Sequence, residues 1–247
     1  MKINYSVKGE GPTLILLHGW GGSIDSLTPL QEQLAAKGFQ VFNLDLPGFG
    51  KSEMLKEVMD LDDYVKFLMD LIERLNIFKP VLIGHSFGGR IAVAFAAKYP
   101  GKVSKMVLID ISGINPQNQT KKKKLEKQSK VFGKFFNLPL VRLVKPLVRK
   151  VYYKTVVGEN DYLTAGKLKE TFKKVVGQYI DHKLKEVKTD TLIIWGEHDN
   201  ITPLWMGEKL AMGIKNSRLE VIEGAKHGLP LVQPELIARI IYLYLSK

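Results

Sequence analysis

Short apolar runs recur along the chain at 13–17, 40–44, 81–84, 105–109, 191–195 and 218–222. Each has strand length, and those at 13–17 and 81–83 are apolar without a break, the pattern of a strand covered on both faces. Between the runs the apolar positions shift to helical spacing. Leu61, Tyr64, Val65, Leu68, Leu71, Ile72 and Leu75 line one face of a predicted helix, with Asp62 and Asp63 at its N-terminal end. Further helices are predicted over 23–36, 91–97, 203–212 and 234–245, and the first residues, up to Val7, read as another strand. Strands alternating with helices predict an α/β class chain: a mostly parallel twisted sheet with helices on both faces.

The alternation stops after Asn115. Val131, Phe132, Phe135 and Phe136, then Leu140, Val141, Leu143, Val144, Leu147 and Val148, keep helical spacing without intervening strands. Pro139 opens one predicted helix and Pro146 kinks or breaks it. The expected organisation is a core of residues 1–115 and 188–247 carrying an inserted helical cap at 116–187.

Charge sharpens this division. The 247 residues carry a net +12, yet residues 115–189 hold 19 Lys and Arg against 6 Asp and Glu, and the remainder holds 18 against 19. The whole excess sits in the inserted segment, including the run Lys121–Lys124. Its simplest reading is a solvated helical face. A second is attraction of anionic substrates or contact with a membrane surface, because basic and apolar residues interleave from 132 to 153. A nucleic-acid partner is not expected, since no base-stacking or DNA-reading motif is present. Zero cysteines exclude disulfides, a thiol nucleophile and Cys-ligated metals. No apolar run reaches the roughly 18 residues of a membrane span, and the N-terminus lacks a signal-peptide core. A cytoplasmic location is the expectation.

The run at 81–84 enters Gly84-His85-Ser86-Phe87-Gly88-Gly89, and a small-residue helical pattern follows at once. A strand turning so sharply into a helix lifts its apex residue above the sheet, and flanking glycines remove the Cβ atoms that would clash. Gly-X-Ser-X-Gly in this setting is the nucleophile elbow, with Ser86 as nucleophile. A serine hydroxyl needs a base. Of His18, His85, His182, His198 and His227, the last lies in a loop after the final strand, where ligands meet an open α/β sheet. His18 reads as a loop brace, His85 as a packing neighbour and His198 as a solvated loop residue. Two aspartates end apolar strands between Ser86 and His227. The chain order nucleophile, acid, histidine favours Asp199, and Asp110 is the alternative acid. Glu197 reads as a cap for the same turn. The backbone N–H of Phe87, with that of Trp20 in the Gly-rich loop His18-Gly19-Trp20-Gly21-Gly22, is the expected oxyanion hole. Trp20, Phe135, Phe136, Leu140 and Leu143 are expected to wall the substrate pocket.

On His18-Gly19-Trp20, Asp45-Leu46-Pro47-Gly48-Phe49-Gly50-Lys51-Ser52, the serine elbow, Gly196-Glu197-His198-Asp199 and Gly224-Ala225-Lys226-His227, the chain resembles the α/β-hydrolase family over essentially its full length. It is similar to the esterase and C–C-hydrolase branches with a helical cap. The resemblance implies hydrolysis through an acyl-enzyme without a cofactor. The serine departs from haloalkane dehalogenases and soluble epoxide hydrolases, whose nucleophile at this place is Asp, and the Gly-rich loop lacks the extended His-Gly-Gly-Gly form of one lipase branch. The expected activity is cleavage of small, fairly apolar carboxylic esters or lactones. C–C bond hydrolysis of diketone-like substrates is the alternative. A non-catalytic module for ligand sensing or membrane docking on the same fold is a third reading.

Overall fold

The computed structural model describes residues 2–54, 56–116 and 168–246. The chain divides into two units, Met1–Ile114 with Leu168–Lys247, and Asn115–Lys167. Phe135, Phe136, Leu140, Leu143, the Lys121–Lys124 run and the interleaved stretch 132–153 lie outside the described residues. Among the described residues, no helix is long and apolar enough to cross a membrane.

Among the described residues, the first unit is built on seven strands: β1 (Tyr5–Lys8), β2 (Thr13–Leu17), β3 (Gln40–Leu44), β4 (Val81–His85), β5 (Lys105–Ile109), β6 (Asp190–Gly196) and β7 (Ser217–Ile222). Their order across the sheet is β1-β3-β2-β4-β5-β6-β7, parallel except for β1, which runs antiparallel to β3 with Tyr5 opposite Leu44. The helices are α1 (Ile24–Ala35), α2 (Leu61–Arg74), α3 (Phe87–Lys98), α4 (Lys169–Val176), α5 (Trp205–Gly213), α6 (Leu229–Val232) and α7 (Pro234–Leu245), with a 3-10 helix at Asp181–Glu186.

Helices cover both faces of the sheet. Leu14, Leu16, Ile83, Val107, Ile109, Leu192 and Ile194 form one core with Leu27, Leu30 and Leu34 of α1 and Ile237, Ala238, Ile241 and Tyr244 of α7. Alternate strand residues point the other way, so the equally buried Ile15, Leu17 and Leu82 face the opposite layer, where α3 packs on β2 and β4. This two-sided burial is what the unbroken apolar runs require. The start of α2 is fixed by a reciprocal cap: Asp63 N–H donates to Asp60 Oδ1 at 3.0 Å, and Asp60 N–H to Asp63 Oδ2 at 2.7 Å.

Residues 168–187, assigned from the sequence to the insertion, belong to the first unit. Their hydrogen bonds explain this. Met59 N–H donates to Thr171 Oγ1 at 3.0 Å, Leu61 N–H to Gln178 Oε1 at 2.8 Å, and Ile180 N–H to Gly113 O at 2.9 Å. The buried Arg90 adds a bond from Nη1 to Val175 O at 2.7 Å, meeting the carbonyl end of α4.

The chain order reverses around β2, whose neighbours β3 and β4 lie on opposite sides. The crevice beyond the carboxyl ends of β2 and β4 is therefore the place where an open parallel sheet takes a ligand. The Gly-rich loop leaves β2 there, and Ser86 leaves β4.

Candidate active site

Ser86 stands between β4 and α3 with φ 50° and ψ −112°, a backbone conformation that side-chain-bearing residues rarely adopt. Hydrogen bonds hold it there. Its N–H donates to Ile109 O at 3.1 Å, and its carbonyl accepts from Ser112 N–H at 3.2 Å and Arg90 N–H at 3.3 Å. The surrounding glycines are needed for close approach. A Cβ on Gly84 would stand 2.4 Å from Gly89 Cα, and one on Gly88 2.1 Å from Leu17 O. The half-buried Ser86 opens onto α3, whose first N–H groups, beginning with Phe87, have no intrahelical carbonyl to bond.

The Gly-rich loop lies against this turn. A Cβ on Gly19 would be 3.1 Å from Ser86 Cβ and 3.3 Å from His85 Nδ1, so glycine lets the backbone leading to Trp20 come close to the serine. His18 braces the loop. Fully buried, it donates from Nδ1 to Gly19 O at 2.7 Å and accepts from Leu46 N–H on Nε2 at 3.0 Å. Burial pushes its pKa down, against the pull of the Gly19 carbonyl and Asp45, which suits an imidazole using one nitrogen as donor and the other as acceptor. The Trp20 ring lies 4.9 Å from Phe49, 5.4 Å from Phe87 and 5.0 Å from Phe172 of α4, centroid to centroid. Phe172 had no place in the sequence-derived pocket.

Asp45 closes the loop after β3. Its Oδ1 accepts from Ile24 N–H at 2.7 Å, and its Oδ2 from Asn4 Nδ2 at 2.7 Å and Lys51 N–H at 2.8 Å. A Cβ on Gly50 would fall 2.2 Å from this carboxylate. The Asp-Leu-Pro-Gly-Phe-Gly-Lys-Ser stretch thus folds around its own aspartate and ties the start of α1 to it.

At the other side of the site, Asp199 and His227 meet. His227 Nδ1 lies 2.7 Å from Asp199 Oδ2, with the Asp199 side chain fully buried and that of His227 15% exposed. Asp199 Oδ1 accepts from Ile201 N–H at 2.7 Å and Thr202 N–H at 2.9 Å. The Thr202 hydroxyl lies 2.6 Å from Asp199 Oδ2, 3.1 Å from Asp110 O and 3.2 Å from His227 Nδ1. Burial pushes Asp199 up, but bonds from His227 and Thr202 hold its carboxyl below the usual range, so it stays ionised. Thr202 is absent from the sequence reading. Its signal was a hydroxyl three residues beyond an aspartate in a turn, a pattern that usually means only local capping.

Asp110, the alternative acid, has a different partner. It sits at φ 47° after β5, and its Oδ1 accepts from Gly196 N–H at 2.8 Å. Burial, with the negative charge of Asp199 adding to it, pushes its carboxyl up to about 7. The ring of His85 lies 4.8 Å from that of His227, and burial pushes its pKa down to about 3, leaving it neutral. Because His85 immediately precedes Ser86, this ring contact brings the His227 loop beside the serine turn. Glu197 Oε2 accepts from Gly224 N–H at 2.9 Å, clasping the loops after β6 and β7, and His198 is exposed.

The sequence profile of the α/β-hydrolase fold matches residues 12–234. The chain belongs to the α/β-hydrolase family, and the protein is a hydrolase of that fold. It is 27% identical to 2-hydroxy-6-oxononadienedioate/2-hydroxy-6-oxononatrienedioate hydrolase 1 of Pseudomonas putida, over all of this chain and 92% of that protein. It is 30% identical to the hydrolase named for the same substrates in Paraburkholderia phymatum, over 92% of this chain and 85% of that one. Among solved structures, a thermophilic esterase from Thermogutta terrifontis superimposes with a TM-score of 0.72 at 24% identity, covering 99% of this chain and 93% of the esterase.

Proposed function

We propose that the protein is a serine hydrolase that cleaves carboxylic ester or lactone bonds of small, fairly apolar molecules through an acyl-enzyme. The observation that carries this reading is the 2.7 Å contact between His227 Nδ1 and Asp199, on the loop beside the Ser86 turn. Ser86 Oγ attacks the substrate carbonyl while His227 Nε2 takes its proton. Asp199 holds the Nδ1–H tautomer and stabilises the imidazolium that forms. Negative charge on the carbonyl oxygen is met by the N–H groups of Phe87 and Trp20, each worth about two to three orders of magnitude in turnover. His227 then protonates the leaving alkoxide. A water activated by the same imidazole releases the acid and restores Ser86. The rings of Trp20, Phe49, Phe87 and Phe172 support a preference for apolar groups.

The names of the Pseudomonas and Paraburkholderia relatives favour a second reading, C–C bond hydrolysis of a diketone-like substrate with the same three residues. It differs in the leaving group, which departs as a stabilised carbanion and must be protonated on carbon. The test is turnover of p-nitrophenyl esters of graded chain length beside a vinylogous diketone, with Ser86→Ala as control. Ester turnover that falls roughly a millionfold in Ser86→Ala supports the first reading. Faster Ser86-dependent cleavage of the diketone selects the second. Turnover unchanged by Ser86→Ala removes both.

A further inference from the structure

His85, Asp110 and His227 come from three neighbouring regions of the sheet rim: the end of β4, the residue after β5 and the loop after β7. Each offers one nitrogen or oxygen donor atom, and these atoms lie within 4.8 Å of one another. Two of the three side chains hold an unused buried atom. Among the described residues, His85 Nε2 and Asp110 Oδ2 have no close, well-aligned hydrogen-bond partner, the Leu229 N–H only facing the Asp110 carboxylate, and Asp110 is fully buried. A buried polar atom left unmet costs about 1–3 kcal/mol. Two of them beside a third donor make a place that gains by holding an acceptor of lone pairs.

We propose that His85, Asp110 and His227 form a site for a borderline-soft divalent metal ion, zinc in the first instance, which switches off the hydrolytic base when bound. Two imidazoles and one carboxylate suit zinc, which takes three such ligands and leaves a fourth position for water. They do not suit magnesium or calcium, which prefer oxygen ligands throughout. Bonds of about 2.0–2.1 Å to zinc place tetrahedral ligands roughly 3.4 Å apart. Rotation of the His85 ring and a tilt of the His227 ring about its Nδ1 bond to Asp199 close the remaining distance, while Asp110 stays fixed by Gly196 N–H on Oδ1 and by its own N–H bond to Ile194 O at 3.1 Å. The second shell is in place, because Asp199 holds His227 Nδ1, as carboxylates commonly orient metal-bound histidines. The metal then binds the Nε2 lone pair. That is the lone pair that would receive the Ser86 proton, so the ion and the reaction exclude each other.

Metal binding itself does not depend on the proposed reaction, because Ser86 is not a ligand. The test is calorimetric titration of the chelator-treated full chain and of Ser86→Ala with zinc chloride, with visible absorption of cobalt(II) reporting the ligand set. One ion per chain is expected in both proteins, with loss of ester turnover in the active one that chelator reverses. Asp110→Asn and His85→Gln are expected to weaken binding by about 100-fold or more, beyond the cost of losing an outer partner, and to abolish the cobalt absorption of a tetrahedral site. Melting curves identify any variant that fails to fold, and the nearly isosteric Asp110→Asn then decides. Binding in Ser86→Ala with no ester turnover in the parent protein supports the metal site and removes only the ester reading. No saturable binding at millimolar zinc, or equal affinity in the parent and a folded Asp110→Asn, overturns the proposal.

Discussion

Thr202 sets its hydroxyl 2.6 Å from Asp199 Oδ2, the same oxygen that meets His227 Nδ1 at 2.7 Å. The hydroxyl proton and the imidazole N–H thus converge on one carboxylate oxygen, while two backbone N–H groups occupy the other. The carboxylate is fixed in position and held ionised, and these are the two things a histidine base asks of its acid. Asp199→Asn is expected to lower kcat by about four orders of magnitude, because the amide favours the wrong imidazole tautomer. Thr202→Val keeps the shape and removes one bond to a charged group, worth about 1.5–3 kcal/mol, so a loss of roughly ten- to 150-fold is expected. Steady-state kinetics on a p-nitrophenyl ester check both, and a larger loss in Thr202→Val than in Asp199→Asn contradicts the assignment.

Ser86 keeps φ at 50° only because the neighbouring backbone holds it there. Strain at such a residue costs on the order of 1–3 kcal/mol and is relieved by glycine, whose added unfolded-state entropy returns about 0.5–1 kcal/mol. Ser86→Gly and Ser86→Ala are both expected to be inactive, with the glycine variant more stable than the alanine variant by about 1 kcal/mol. Denaturant titration measures the difference. An alanine variant of equal or greater stability would show that the turn stores no strain at this residue.

The serine turn and the alternation of strands and helices were legible because each has a local cause. Strands buried on both faces must be apolar throughout, and a sharp strand-to-helix turn must have glycines where Gly84 and Gly88 meet backbone. Other features depend on partners far away in the chain. Thr171 and Val175 spaced a helical turn apart let α4 bury a face, but the unit it packs on is decided by Arg90 and Met59, with Leu61 holding Gln178 just beyond it. The antiparallel sense of β1 rests on its pairing with β3, and periodicity cannot report direction. Thr202 was missed for the same reason, since its contact with His227 exists only once the loops after β6 and β7 come together.

Asp45 is almost fully buried and gathers three hydrogen bonds from Ile24, Asn4 and Lys51. Its role follows from that convergence and needs no contact with substrate. Asp45→Ala leaves three donors without their acceptor at the start of α1 and in the loop after β3, and a loss of about 3 kcal/mol or more is expected. Asp45→Asn, which keeps an oxygen but loses the charge, is expected to fall between the two. Urea titration of the three proteins checks the ranking. A stability in Asp45→Ala equal to that of the parent chain would mean that the loop is held by other contacts.

His18 gives the fold a dependence on pH. Both of its ring nitrogens are committed, Nδ1 as donor to Gly19 O and Nε2 as acceptor from Leu46 N–H, and protonation of Nε2 breaks the second bond. Burial lowers its folded-state pKa below the ordinary 6.5. On acidification the unfolded chain therefore takes up the proton first. Stability present above about pH 6.5 is lost progressively as the pH falls toward the lowered folded value. His85, pushed down to about 3 by its own burial, acts with the same sign, so substitution at position 18 removes part of the dependence and not all of it. His18→Gln is expected to be less stable than the parent at about pH 8, where the neutral imidazole bonds best, and to lose less stability on going to about pH 5. Denaturation midpoints measured across that range give both quantities. Parallel pH curves for the two proteins would mean that His18 is not held neutral by the fold, and the bracing of the Gly-rich loop would need another source.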